Sequence, residues 1–200
     1  MKLLLTLGFF GACASGMAQA APVAYSIDPG HTYPSFEADH MGLSLWRGKF
    51  TRTSGKLIYD KATGTGTVEV NIDPASADFG NKVLNIEARG PALFEVKKYP
   101  KAGYQGKLEG FIGNGPAKVT GALTLHGVTR PVDLSINFFK CMQHPIFKRD
   151  WCGADAQATI NREDFGMAGG KDYGFKMEVV LHIQVEAIEA PPSDKTPEKK

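Results

Sequence analysis

Five histidines and a spaced pair of cysteines are the residues of this chain whose types could do chemistry. His31 follows Asp28 in the run Asp28-Pro29-Gly30-His31. A carboxylate holding an imidazole can begin a proton-transfer dyad, but Asp-Pro-Gly-His is also plain turn chemistry, and that is the simpler reading. His40 is in phase with Phe36 and Ala38, so on a strand it points where they point; at the end of a pocket it could touch a polar head group. His126 falls in a turn, His144 between the two cysteines, and His182 on a polar strand face. Nothing in the spacing of His31 and His40 makes them converge. Arg162, close to Asp164, reads as an ion pair or a turn contact. No H-E-x-x-H, G-x-S-x-G or P-loop pattern occurs. With no nucleophile beside a base, no catalytic residue is assigned.

The start of the chain bears on the cysteines. Met1 and Lys2 precede an apolar run, Leu3 to Ala12, broken only by Thr6, and Ala18-Gln19-Ala20 supplies an A-x-A cleavage signature. The expectation is a signal peptide over 1–20, cleaved between Ala20 and Ala21, and a periplasmic destination. Phe10-Gly11-Ala12 before Cys13 matches a lipoprotein signal poorly. Cys141 and Cys152 then remain, and an even count in an exported chain reads as a disulfide. The alternative is a metal held by Cys141, His144 and Cys152, which lacks the fourth ligand or open catalytic position that zinc takes; no metal is expected.

Composition excludes some partners. Without Lys2 there are 22 Lys and Arg against 21 Asp and Glu. No basic block asks for nucleic acid, and no second apolar stretch reaches membrane-span length.

The elements that must position these residues are strands. Val68, Val70 and Ile72 alternate with polar neighbours, as do Val119 to Leu125, Val132 to Phe138 and Met177 to Ala187. Period two with one apolar face marks a sheet buried on one side. Runs at 23–28, 34–40, 43–50, 54–59, 66–72, 102–110, 117–126, 130–140, 153–161 and 175–189 merge into roughly eight strands. Turn signals such as Asp28-Pro29-Gly30, Thr63 to Gly66 and His126-Gly127 punctuate them. Asn81 to Val96 lacks alternation and fits a short helix or cap. The tail, 191–200, is polar and proline-bearing, and should be disordered. One domain, 21–190, is expected. Eight antiparallel strands remove their edges by closing into a barrel, whose interior can be packed or can hold one ligand. Large residues on the apolar faces (Phe36, Trp46, Phe50, Tyr104, Phe138, Phe165, Met177) stand among small ones (Ala38, Gly48, Gly106, Ala154, Ala156, Ala158). Small residues leave space that a packed interior does not tolerate as void.

Five segments, in order, resemble the YceI-like family of polyisoprenoid-binding, lipocalin-like periplasmic proteins. They are Tyr25 to Thr32, Phe36 to Ser44 with Gly48-Lys49-Phe50, Leu93 to Pro100, Leu123 to Val132, and Ile160 to Met167. At Ile86-Glu87-Ala88-Arg89 the chain departs from the family pattern. The resemblance implies an all-β, antiparallel, eight-stranded barrel with a short helix near one mouth. It also implies an elongated apolar channel for a polyprenyl phosphate or an isoprenoid quinone. It supplies no catalytic residue and no cofactor beyond the bound lipid. The residues expected to touch that lipid are Phe36, His40, Trp46, Phe50, Phe94, Tyr104, Leu125, Phe138, Phe165 and Met177. The sequence leaves a homodimer open. The competing expectation is an enzyme acting on an isoprenoid quinone or another small hydrophobic substrate, with His40 or His31 carrying the proton.

Overall fold

The computed structural model describes residues 21–110, 112–113 and 115–191. The expected signal peptide, and the tail from residue 192 on, lie outside them. Twelve strands form in chain order. They are β1 Val23–Ile27, β2 Tyr33–His40, β3 Ser44–Phe50, β4 Thr53–Asp60, β5 Thr65–Ile72, β6 Ala77–Asp78, β7 Ala102–Glu109, β8 Lys118–Leu125, β9 Val128–Pro131, β10 Leu134–Gln143, β11 Asp150–Asn161 and β12 Glu178–Glu189. All pairings are antiparallel. Eight strands close a ring in the order β1-β4-β5-β7-β8-β10-β11-β12, with β12 pairing back onto β1. Closure leaves the ring no bare edge.

The ring forks at one place. The second half of β12 pairs with β1 (Ala187↔Ile27), and its first half pairs with β2 (Val179↔Ala38). β1 and β2 are thus one sheet position divided by the Asp28–Thr32 turn. The β2–β3 hairpin rises beyond the ring as a lip, with β6 on its outer edge. The hairpin turns at Met41 (φ 56°) and Gly42 (φ 74°), and β8–β9 at His126 (φ 51°) and Gly127 (φ 74°). Paired positive φ is the tight turn whose twist suits a two-residue hairpin. Asp39 steadies the first turn by accepting the Gly42 amide at 2.9 Å.

The expected helix is shorter than Asn81 to Val96: α1 spans Lys82–Arg89. Asn81 caps it by accepting the amides of Val83 and Leu84, and the chain leaves the helix at Gly90. The segment expected as one strand over 130–140 divides, because Val132 and Asp133 part β9 from β10. None of the described helices is long and apolar enough to cross a membrane.

Two apolar clusters line the inside of the barrel. The lower joins Tyr25, Ile27, Leu57, Tyr59, Leu108 and Cys152 at the end bearing the β10–β11 hairpin. The upper includes Phe36, Phe50, Phe94, Leu123, Leu125 and Phe165, at the end covered by α1 and by the segments before β7 and β12. Cys141 and Cys152 face each other across β10 and β11 with Cα atoms 4.0 Å apart, and are joined as a disulfide. Their sulfurs bind each other, and His144 Nδ1 accepts the amides of Ile146 and Phe147, so the metal alternative does not fit.

Candidate functional site

Between the two clusters the barrel is hollow. A cavity of about 380 Å³ runs from the lower cluster, where Phe139 and Cys152 reach it, to the upper end, where Trp46, Leu84 and Phe175 reach it. The period-two face of each ring strand supplies its wall: Val68, Val70 and Ile72 from β5, Leu181, Ile183 and Val185 from β12, and Ala154 and Ala156 from β11. Polar atoms within reach are mostly spent. The Tyr104 hydroxyl donates to the Val132 carbonyl at 2.8 Å, so the residue offers only its ring. Burial, with Asp133 adding to it, pushes that hydroxyl above the ordinary tyrosine range. Below, the Tyr25 hydroxyl donates to Asp150 at 2.6 Å. Burial first and that hydrogen bond second raise its pKa as well. Neither phenol is available as an acid near neutrality.

The upper wall is aromatic. Phe36 lies 5.5 Å from Phe50 and 6.2 Å from Phe94, and Phe50 lies 5.3 Å from Phe94, between ring centres. At the rim, His40 stacks on Trp46 (3.9 Å, 11° between planes) and meets the edge of Phe175 at 5.0 Å.

Six of the ten expected contact residues face the cavity: Phe36, Trp46, Phe50, Phe94, Tyr104 and Leu125. The other four lie elsewhere. His40 does not line the cavity; its half-buried ring packs on Trp46 and Phe175 at the rim. Phe138 is 55% exposed, because the register slips between Ile136 and Phe138 and turns Phe139 inward instead. Phe165 is 1% exposed but lies in a 3₁₀ turn, Arg162–Phe165, where strand phase no longer applies. Met177 precedes β12, and its carbonyl accepts the Arg162 amide at 2.8 Å.

The small residues divide in the same way. A Cβ on Gly48 would come within 2.6 Å of the Phe36 ring, and one on Gly106 within 2.5 Å of Val119, so neighbours already occupy those spaces. Ala38, Ala154 and Ala156 are the ones that open onto the cavity, and Ala158 does not.

The chain also hides a cation in this wall. Arg162, expected to pair with Asp164, instead turns inward and is 7% exposed. Its Nη1 donates to the Met167 carbonyl and its Nη2 to the Gly169 carbonyl, each at 2.7 Å. Burial lowers its pKa, with Glu163 opposing. Position 162 continues the inward phase of Cys152, Ala154, Ala156 and Ile160, and that was the signal for it.

The remaining histidines do not gather. His126 sends Nδ1 to the Phe165 carbonyl at 3.0 Å, and His182 pairs with Glu37 at 2.6 Å. His31 lies on the outer surface, 2.8 Å from Asp28 and 4.0 Å from Glu186, so the proton carrier expected there has no access to the cavity. These three offer ligand atoms within 4.8 Å of one another, but Asp28 already holds His31 Nδ1. Hydrogen bonding to Asp28, more than charge, raises the His31 pKa; the Asp28 pKa is lowered by His31 and the Gly30 amide, against the cost of burial. The raised histidine contributes stability below its unfolded pKa and loses it as pH rises through the folded value. The lowered aspartate contributes above its unfolded pKa and loses it on acidification. The pair therefore acts between those limits. His31→Ala is expected to cost about 0.5 kcal/mol near pH 5–6, small because both groups meet solvent, and less above pH 8. Urea titrations at both pH values check this; an equal loss at both would refute it.

Residues 25–187 match the YceI-like domain. A UPF0312 protein of Ectopseudomonas mendocina is 30% identical over 190 residues, covering 92% of this chain and 95% of that one. The crystal structure of Burkholderia cenocepacia BcnA superposes with a TM-score of 0.63 at 25% identity, covering 80% of this chain and 98% of that one. A domain from Saccharophagus degradans, described as polyisoprenoid-binding and implicated in plant cell wall breakdown, gives a TM-score of 0.61 at 20% identity, over 84% and 99%; that likeness is one of fold. The eight-stranded ring, the five motifs in order and a match spanning nearly every described strand agree: this chain belongs to the YceI-like family.

Proposed function

We propose that this protein is an exported, non-enzymatic carrier that holds a long-chain isoprenoid lipid, a polyprenyl phosphate or a quinone, in its barrel. The observation that carries the reading is the cavity of about 380 Å³, walled by alternating apolar residues over the length of the barrel. Its size falls within the ~300–1,000 Å³ usual for small-molecule sites. At about 24 cal/mol per Å³, leaving such a space unfilled forgoes on the order of 9 kcal/mol. That is comparable to the whole stability of a domain, about 5–15 kcal/mol. A fold that keeps this space open keeps it for an occupant.

The wall selects for shape. Each buried methylene contributes about 0.8 kcal/mol without any polar contact. A slender branched chain suits a channel whose aromatic upper wall gives way to the alanines of β11. The A-x-A signature before Ala21 supports export to the periplasm, the setting in which the Cys141–Cys152 disulfide persists.

Native mass spectrometry of gently purified protein tests this reading. The expected result is a species heavier than the bare chain, releasing an isoprenoid into organic solvent. Bare-chain mass, with no lipid in the extract, overturns it.

A further inference from the structure

The cavity wall holds two charged side chains, and only one has a counter-charge. Asp39 is occupied: one carboxylate oxygen accepts the Gly42 amide at 2.9 Å, and the other lies 3.9 Å from Lys176 Nζ. Arg162 has main-chain carbonyls alone. Its neighbour Glu163 is bound to Lys171, and among the described residues no carboxylate forms an ion pair with Arg162. A guanidinium carries five N–H donors in a planar fork, and two main-chain carbonyls leave donors unspent. Buried charges are ordinarily paired. Here Arg162 lines an apolar cavity whose wall also includes Leu93 and Phe94 on one side and Met167, Gly169 and Gly170 on the other.

The wall is built closely at this point. A Cβ on Gly169 would stand 2.0 Å from the Ala92 carbonyl oxygen, so the two segments touch backbone to backbone beside the arginine. The Gly169 carbonyl is one of the two that hold Arg162, which fixes the fork against this wall while the apolar channel runs away toward Phe139.

We propose that Arg162 is the anchor for an anionic head group, a phosphate or carboxylate, on the lipid whose chain fills the barrel. The proposal rests on the carrier reading and narrows it. The two-pronged fork matches the oxygens of such a group, which supplies the missing opposite charge. A quinone or an alcohol offers a hydrogen-bond acceptor but no charge, and gains less.

Three ligands with the same tail length separate the outcomes: geranylgeranyl phosphate, geranylgeraniol and menaquinone-4, each titrated into delipidated protein. The unaltered protein is expected to bind the phosphate at least tenfold more tightly than the other two. Arg162→Met should bring all three within about threefold of one another by weakening the phosphate, and Arg162→Lys should keep part of the preference. Inorganic phosphate alone should not compete. Equal binding of the three by the unaltered protein overturns the proposal and leaves the carrier reading standing. Binding of none overturns both. A preference that survives Arg162→Met makes the arginine a structural clamp and ends its role as anchor. Should Arg162→Met fail to fold, the ranking shown by the unaltered protein decides.

Discussion

Ala156→Phe is expected to abolish retention of a long-chain lipid while leaving the barrel folded. Ala156 lies mid-way along β11, opposite Ile183 on β12 and Ile136 on β10, and is one of the side chains that open onto the cavity. A phenyl ring forced into a packed core costs about 1–3 kcal/mol in strain. Here it enters space that is already present, so unfolding should shift little or toward greater stability. The lipid loses the length of channel the ring occupies. Excluding about five methylene-sized groups removes about 4 kcal/mol, and hence about a thousandfold in affinity. Native mass spectrometry gives the lipid-bound fraction and thermal unfolding gives the fold. Undiminished lipid on a correctly folded variant would show that the occupant does not lie along β11.

The second large effect concerns stability. Replacing both Cys141 and Cys152 by Ala is expected to cost about 3 kcal/mol, the chain-entropy value for a closed loop of about this size. The bond itself sits in the lower cluster, where Cys152 is 2% exposed among Tyr25, Tyr59 and Leu108. The β10–β11 ladder runs from Ser135↔Gln157 to Gln143↔Asp150, so the strands keep their pairing without the bond. With a urea slope of about 1–3 kcal/mol per molar, the midpoint should fall by about 1–3 M. Adding a reductant to the unaltered protein should lower it similarly. A midpoint that moves with neither change would mean that the disulfide leaves the unfolded chain no less free.

Much of this was legible from residue pattern, and the places where it was not share a cause. Strands facing water on one side keep period two, so Phe36, Tyr104 and Leu125 could be assigned to the interior. The rule fails wherever the backbone leaves regular pleating. One slipped residue on β10 exchanged Phe138 for Phe139. The 3₁₀ turn after β11 took Phe165 out of phase, and Met177 stands before its strand begins. Phe79 and Phe94 lie in the crossover from β5 to β7, where no period places a side chain; the family motif named Phe94, and nothing named Phe79. Arg162 shows the opposite failure. Its phase was legible, but its charge argued for the surface, and only the carbonyls of Met167 and Gly169 make the buried position tolerable. Gly48 and Gly106 show that a missing side chain does not by itself make room, because its neighbours decide.

The fork in β12 has a mechanical consequence. Closed barrels are stiff, since enlarging the bore means breaking a whole ladder somewhere around the circumference. Here the lip around the upper opening belongs to β2 and β3, outside the closed circuit, and its outer seam to β6 is only Lys49↔Asp78 and Phe50↔Ala77. That short seam can part without breaking any of the eight ladders of the ring, while β2 stays held to β12 from Val179↔Ala38 to Gln184↔Tyr33.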